Sequence, residues 1–288
     1  MLRFTYIVFI FNNENNIADL TDSLKKIQGN FHKEFIFIDD GSSDDSLNML
    51  KNYVKNLPRT TIITQATSGP TASLNKAFNL STGDYIHFVE GDEIIHPHAT
   101  SALIDACSKF GTDVAIGLSS SEKGISQSLN DVITLVQSPI DEILDNKIME
   151  VRNVGISASL VNHRLIDQID RADTSIYTAN MSLSLRCAKH SKFALVKDVI
   201  STHQRCSANM DSRFVAYNNI KSIYNFVSAN PAIFTKSGAK LLNNLSNEVL
   251  NKRSKVRYNL MSLSSKYFKS TPLDKILKLY EEEYNCLF

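Results

Sequence analysis

Two short apolar runs, each ending in a cluster of acids, constrain this chain more than any other feature. Glu34-Phe35-Ile36-Phe37-Ile38 runs into Asp39-Asp40-Gly41-Ser42-Ser43-Asp44, and Tyr85-Ile86-His87-Phe88-Val89 runs into Glu90-Gly91-Asp92-Glu93. A strand with one wet face alternates apolar and polar residues, whereas one covered on both faces does not. Both runs are therefore expected as buried strands of a parallel sheet. In open α/β sheets, ligands bind beyond the carboxyl ends of the strands. Acids gathered there would repel an anionic ligand unless a divalent cation stood between them. Mg²⁺ and Mn²⁺ take hard oxygen ligands and share them with substrate phosphates. The pattern points to a metal-bridged diphosphate site.

The segments around these runs alternate in the same way. Tyr6 to Phe11 reads as a first strand, and Asn16 as the cap of a helix with Ile17, Leu20, Leu24 and Ile27 on one face. After the second strand, Ser43 or Asp44 caps a helix carrying Leu47, Leu50, Val54 and Leu57, and Pro58 stops it. A strand at Thr60–Thr64, a short helix through Ala72, Asn75 and Phe78, and the strand Tyr85–Val89 follow. A helix from about Pro97 to Phe110 and a strand at Asp113–Ile116 complete the series. Alternating βαβα implies a Rossmann-like α/β domain, with a mostly parallel sheet flanked by helices. Residues 118–150 are Ser-rich and weakly patterned. Beyond them we expect a strand and helix over Val154–Ile169, a helix over Ala179–His190 and a strand over Lys192–Val199. From about Met210 the pattern is helical, ending in a helix capped by Thr271, Pro272 and Asp274.

Composition narrows the function. With 288 residues the chain is long enough for one large domain and an appendage. A net charge of +1 gives no whole-molecule attraction for nucleic acid. Cys107, Cys187, Cys206 and Cys286 form no CxxC pair and read as reduced thiols of a cytoplasmic protein. No apolar stretch approaches the roughly 18 residues needed to cross a bilayer. The apolar N-terminal run reads as a strand and not a signal peptide, so any membrane contact is expected to be peripheral. There is no GxGxxG after the first strand and no GxxxxGK[ST], so the usual dinucleotide and P-loop sites lose their support.

Four motifs, in order, carry a family resemblance. They are Phe11-Asn12-Asn13-Glu14 after the first strand, Ile38-Asp39-Asp40-Gly41-Ser42-Ser43-Asp44, Gly69-Pro70-Thr71-Ala72-Ser73-Leu74-Asn75, and Thr82-Gly83-Asp84-Tyr85 through Asp92-Glu93. Read singly, each is a turn, a cap or a solvated loop. Together they resemble the family-2 glycosyltransferases of the GT-A fold, from about Tyr6 to His203. The resemblance implies a nucleoside-diphosphate-sugar donor, Mn²⁺ or Mg²⁺, inversion at the anomeric carbon and a role in surface glycan synthesis. It places the donor around Ile10, Phe11, Glu14, Asp39, Asp40, Asn75, Glu90 and Gly91, with Phe11 packing on the base and Asp40 accepting a hydrogen bond from it. Gly91 leaves room for the ligand. Asp92, Glu90 and His203 are the implied metal ligands. The implied organisation is a transferase domain over 1–208, with the donor half at 1–117 and the acceptor half at 118–208, and a helical region over 209–288.

The chain departs from the family at three places. The carboxylate base expected at the start of a late helix is Asn180, although Leu185 and Arg186 keep the spacing that follows it. A neutral amide does not act as a general base near pH 7. Three readings stay open: Asp173 or Asp170 supplies the base, the protein binds nucleotide sugar without transferring it, or Asn180 is an isosteric replacement of Asp. The family's Arg before the helix Asn is Leu74, and the first acid of the DxD-type motif is Glu90. A nucleotidyltransferase is disfavoured, because no glycine- and basic-rich loop follows the first strand. Near the C-terminus, Lys236, Lys240, Lys252, Arg253, Lys255, Arg257, Lys266 and Lys269 accompany a stripe of Leu241, Leu242, Leu245, Val249 and Leu250. This reads as a packed helix with a solvated basic face, as a surface for anionic lipid near a lipid-linked acceptor, or as a homodimer interface.

Overall fold

The computed structural model describes residues 1–65, 70–120, 133–144, 158–204, 212–230 and 233. The Ser68–Gly69 turn, the C-terminal cations and the Thr271 cap lie outside the described residues. The chain divides into two compact units, residues 1–143 with 147–208, and residues 144–146 with 209–288.

In the first unit the expected alternation is present. Strand β1 (Arg3–Ile10) leads to helix α1 (Ile17–Lys26), β2 (His32–Asp39), α2 (Ser46–Tyr53) and β3 (Thr60–Thr64). Helix α3 (Pro70–Leu80), β4 (Tyr85–Glu90), β5 (Glu93–Ile95), α4 (Ala99–Phe110) and β6 (Val114–Ser120) follow. Then come β7 (Ile133–Val136), α5 (Pro139–Leu144), β8 (Ser159–Asn162), α6 (His163–Gln168), α7 (Ala179–His190) and β9 (Phe193–His203). The second unit contributes α8 (Ser212–Ala229), where the Asn218 and Ser222 side chains donate to carbonyls four residues back.

The strands form one sheet in the order β3-β2-β1-β4-β8-β6-β9-β5, with β7 paired on β9. The first four strands are parallel throughout. Past β4 the sheet becomes mixed, because β8 enters antiparallel between β4 and β6 while β6 and β9 run parallel. The apolar runs explain the parallel half. Phe35, Ile36, Phe37 and Ile38 are all buried, as are Ile86, Phe88 and Val89. Covering both faces of a strand in this way is worth roughly 1.5–3 kcal/mol for each large side chain. Phe4, Tyr6, Val8 and Ile10 of β1 pack with Ile17, Leu20 and Leu24 of α1 and Leu103 of α4. On the other face Phe78 of α3 meets Phe88 of β4 edge-on at 6.1 Å.

Three local expectations are corrected. Asn16 makes no side-chain cap; the Asn16 and Ile17 N–H groups donate to the Asn13 carbonyl instead. Helix α2 starts at Ser46 with Asp45 as its N-cap residue, one position past Asp44 and two past Ser43, although the Asp44 side chain does accept the Ser46 N–H on Oδ1. The late strand runs on to His203, which is its last residue and does not follow it. Cys107 and Cys187 are buried free thiols, and burial pushes both up to about 12. Among the described residues no helix is long and apolar enough to cross a membrane.

Candidate functional site

The two loops that leave β1 and β2 are laced together by their own side chains. The Asn12 N–H donates to Ser42 Oγ, the Asn13 N–H to Ser46 Oγ, and the Glu14 N–H to Asp44 Oδ2. In return the Ser43 N–H donates to Asn12 Oδ1 and the Asp45 N–H to Glu14 Oε2. Short polar side chains at both strand ends thus satisfy the opposite backbone, which is why Asn, Ser and Asp crowd there. Gly41 takes φ 81°, the left-handed turn that lets the chain leave β2. Asn12 sits at φ 52°, a conformation asparagine tolerates better than most residues.

This lacing leaves Phe11 49% exposed while its N–H is held by Asn13 Oδ1. An exposed phenylalanine on a fixed backbone offers a flat apolar platform at the end of the sheet. Asp39 closes β2 opposite Ile10, and it is 3% exposed. Its Oδ1 has no hydrogen-bond partner among the described residues, so a buried acceptor is available there. Asp40 accepts from Gln65 Nε2 at 2.9 Å. Burial pushes the Asp40 carboxyl up, and the Gln65 hydrogen bond pulls against that rise.

The second acidic loop converges with the end of β9. Ligand atoms of Glu90, Asp92 and His203 all lie within 4.8 Å of one another. His203 Nδ1 is 3.5 Å from Asp92 Oδ1 and 3.9 Å from Glu90 Oε2. Desolvation and the like charge of Glu93 push Glu90 up to about 8. Since 42% of the Glu90 side chain remains open to solvent, the like charge is the firmer cause. The hydrogen bond to Asp92, with the surrounding acids, pushes His203 up to about 9 against its own desolvation. Two carboxylates and one imidazole form a donor set that suits Mn²⁺, and Mg²⁺ through the oxygens. A cation taking Nδ1 would displace a proton from the ring.

Gly91 joins the two halves of this end. A Cβ there would stand 2.3 Å from Asn13 Oδ1 and 2.7 Å from the Phe9 carbonyl oxygen. The acidic loop therefore packs directly on the loop that carries Phe11. Protein atoms, and not open space for a ligand, occupy the volume beside Gly91.

A third loop, between α6 and α7, is fastened at several points. Asn75 of α3 donates from Nδ2 to the Ala172 carbonyl and accepts the Ala172 N–H on Oδ1, both at 2.9 Å. Thr71 Oγ1 donates to the Tyr177 carbonyl at 2.7 Å. Arg186 reaches the carbonyls of Ile169 and Arg171. Asp170 and Arg171 hold φ of 57° and 59°, so the loop turns sharply where Arg186 grips it. Asn180 is exposed on the first turn of α7. Asp173 Oδ1 accepts the Ser175 N–H at 2.9 Å.

The model of Glycosyl transferase family 2 matches residues 5–151, half of the chain. The chain belongs to that family. Among curated relatives, it is 26% identical over 196 residues to a poly(ribitol-phosphate) beta-glucosyltransferase of Bacillus spizizenii, covering 64% of this chain and 30% of the relative. It is 33% identical over 82 residues to the uncharacterized glycosyltransferase YibD of Escherichia coli, covering 28% and 24%. The chain thus spans about a third or less of the length of these relatives. Among solved structures, the fold matches Staphylococcus aureus TarS 1-349 in complex with UDP-GlcNAc, with TM-score 0.62 and 17% identity over 86% of this chain and 72% of that one. It also matches the Pyrobaculum calidifontis mannosyltransferase PcManGT, in complex with GDP-Man and Mn²⁺, with TM-score 0.58 and 10% identity over 98% and 85%.

For a family-2 glycosyltransferase, the structure gathers some of the named residues and separates others. Phe11, Asp39 and Asp40 stand at the ends of β1 and β2, and Glu90, Asp92 and His203 meet at the ends of β4 and β9. Glu14 and Asn75 are spent on neighbouring backbone, Glu14 on Asp45 and Asn75 on Ala172. Sequence reasoning passed over Gln65, which touches Asp40, and Glu93, which faces His203 Nε2 at 3.5 Å. The signal for Glu93 was present: an acid one place after the expected ligand Asp92, in a run that otherwise turns apolar.

Proposed function

We propose that this chain transfers a sugar from a nucleoside-diphosphate sugar to an acceptor hydroxyl, with a divalent cation and with inversion. The observation that carries the reading is the convergence of Glu90, Asp92 and His203 at the carboxyl end of the sheet. The turn at Gly91 between Glu90 and Asp92 packs against the loop that exposes Phe11, and His203 joins them from the end of β9. Phe11 stacks on the base, and Asp39 and Asp40 accept its N–H groups. Glu90, Asp92 and His203 would hold Mn²⁺ or Mg²⁺, and the bound cation would supply charge neutralisation for the departing diphosphate. The named ligands of the fold relatives, UDP-GlcNAc and GDP-Man with Mn²⁺, support a donor of this class. The polymer-glycosylating relative supports a surface-glycan or lipid-linked acceptor, taken by residues 118–208 at the inner face of the membrane.

Inversion requires a group that takes the acceptor proton. On this reading Asp173 serves as the base, on a loop fixed by Asn75 and Arg186. The exposed amide of Asn180 favours a second reading, a protein that binds the donor and transfers it poorly or not at all. The test is release of nucleoside diphosphate from UDP-sugars and GDP-mannose, with Mn²⁺ and with chelator, by the wild type and by Asn180→Asp. Mn²⁺-dependent release by the wild type supports transfer with a base other than Asn180, and its loss in Asp173→Asn but not in Asp170→Asn supports Asp173. Release only after Asn180→Asp supports the second reading. Silence in both proteins with every donor contradicts the transferase reading.

A further inference from the structure

We infer that Glu93 is the positioning residue of the metal centre: its buried carboxylate holds the Nε2–H of His203, so that Nδ1 is presented to the cation shared with Glu90 and Asp92. This inference rests on the metal reading above.

The backbone sets the arrangement. Strand β5 is only three residues long, and it pairs antiparallel with the end of β9 in the register Glu93↔His203, Ile94↔Thr202 and Ile95↔Ser201. The Gln204 N–H donates to the Asp92 carbonyl at 2.7 Å and extends the ladder by one step. Asp92 and His203 are therefore tied through the main chain, and Glu93 stands directly opposite His203. Facing residues on one side of an antiparallel pair have side chains within contact reach.

The side chains complete it. Glu93 is 0% exposed, and a buried carboxylate is costly unless it is hydrogen-bonded and paired. Its Oε2 accepts the Glu90 N–H at 3.0 Å, and its Oε1 accepts from the Ser201 hydroxyl at 2.9 Å. Ser119 Oγ, 3.0 Å away, is a second acceptor within reach of the same Ser201 hydroxyl. With its oxygens so fixed, Glu93 Oε1 lies 3.5 Å from His203 Nε2. The opposite ring nitrogen faces Asp92 Oδ1, also at 3.5 Å. A ring held between two carboxylates has one nitrogen for each, and only the side with Asp92 and Glu90 offers three ligands. A carboxylate behind a metal-binding histidine fixes its tautomer and orientation and raises its basicity. Glu93 also fixes the other side of the centre, because it holds the Glu90 N–H.

The test is titration of Mn²⁺ alone into the purified chain, followed by calorimetry, with melting curves for each variant. Glu93→Gln is expected to weaken Mn²⁺ binding about 10–100-fold. Glu93→Asp keeps the charge and is expected to retain more affinity than Glu93→Gln. Should Glu93→Gln fail to fold, Ser201→Ala removes one constraint on Oε1 and is expected to weaken Mn²⁺ binding several-fold. Wild-type affinity in folded Glu93→Gln, or in folded Ser201→Ala, overturns the inference. Equal losses in the Gln and Asp variants, with equally lowered melting midpoints, also overturn it, because packing alone would produce them. If the wild type takes up no Mn²⁺, the metal reading fails first, and that outcome is distinct from the others.

Discussion

At Gly91 a single added carbon would collide with Asn13 Oδ1, the atom that holds the Phe11 N–H. Gly91→Ala is therefore expected to push Asn13 aside and to loosen both the acidic loop and the Phe11 platform. We expect a loss of about 1–3 kcal/mol by urea unfolding, together with weaker nucleotide binding by calorimetry. A mutant with wild-type stability and affinity would contradict the close packing of the two loops. The need for a small residue here was legible in the sequence, but its cause was not. Sequence order shows that a glycine lies between two acids; it does not show that Asn13, 78 positions earlier, fills the space beside it. Phe11 is a similar case, because only the lacing of Asn12, Asn13 and Glu14 to the β2 loop shows why an aromatic there stays exposed.

Elements that carry the site were legible in proportion to their length and pattern. Strands β1 to β4 and helix α7 were readable from apolar runs and caps. Strand β5 was not, because three residues inside an acidic cluster carry no periodicity, yet its pairing with β9 brings His203 to Asp92. The loop between α6 and α7 was also hidden, since long-range side-chain bonds and not local propensity hold it. Asn75 is the main fastening, and both polar atoms of its amide are used on Ala172. Asn75→Ala is expected to leave that backbone pair without partners, at a cost of about 1–3 kcal/mol. Activity should fall with Mn²⁺ affinity unchanged, because the loop carries Asp173 and leads to Asn180, not to the proposed metal ligands Glu90, Asp92 and His203. Loss of Mn²⁺ binding in this variant would contradict that separation. The first turn of α7 also bears on Asn180→Asp. A carboxylate near a helix N-terminus is favoured by about 0.3–1 kcal/mol, so that variant is expected to fold at least as well as the wild type.

Across the whole molecule, the parallel half of the sheet buries a titratable group that the site does not use. His87 on β4 is fully buried between Tyr6 and Thr100, with Nδ1 3.1 Å from Thr100 Oγ1. Burial pushes it down to about 4, against the ordinary 6.5. Above pH 6.5 the ring is neutral in folded and unfolded chains, and its contribution to stability is fully present. As pH falls below 6.5 the unfolded chain takes up the proton first, so stability is lost down to about pH 4. The linkage amounts to roughly 3 kcal/mol at most. His87→Asn is expected to flatten the dependence of the unfolding midpoint on pH over that range. An unchanged slope would contradict a neutral buried His87. The α/β class and the parallel half were legible because apolar runs report burial on two faces. The mixed half was not, since β8 enters by a crossover from residues whose pattern is weak.

The central claim is a donor site in which a cation joins the acids at the end of β4 to a nucleoside diphosphate. Its most direct test is calorimetric binding of UDP and GDP, each with and without Mn²⁺, to the wild type and to Asp92→Asn. The account predicts that one of the nucleotides binds at least about tenfold tighter with Mn²⁺, a gain of about 1.4 kcal/mol, and that Asp92→Asn abolishes this gain. Equal binding with and without Mn²⁺, or no binding of either nucleotide, would contradict it.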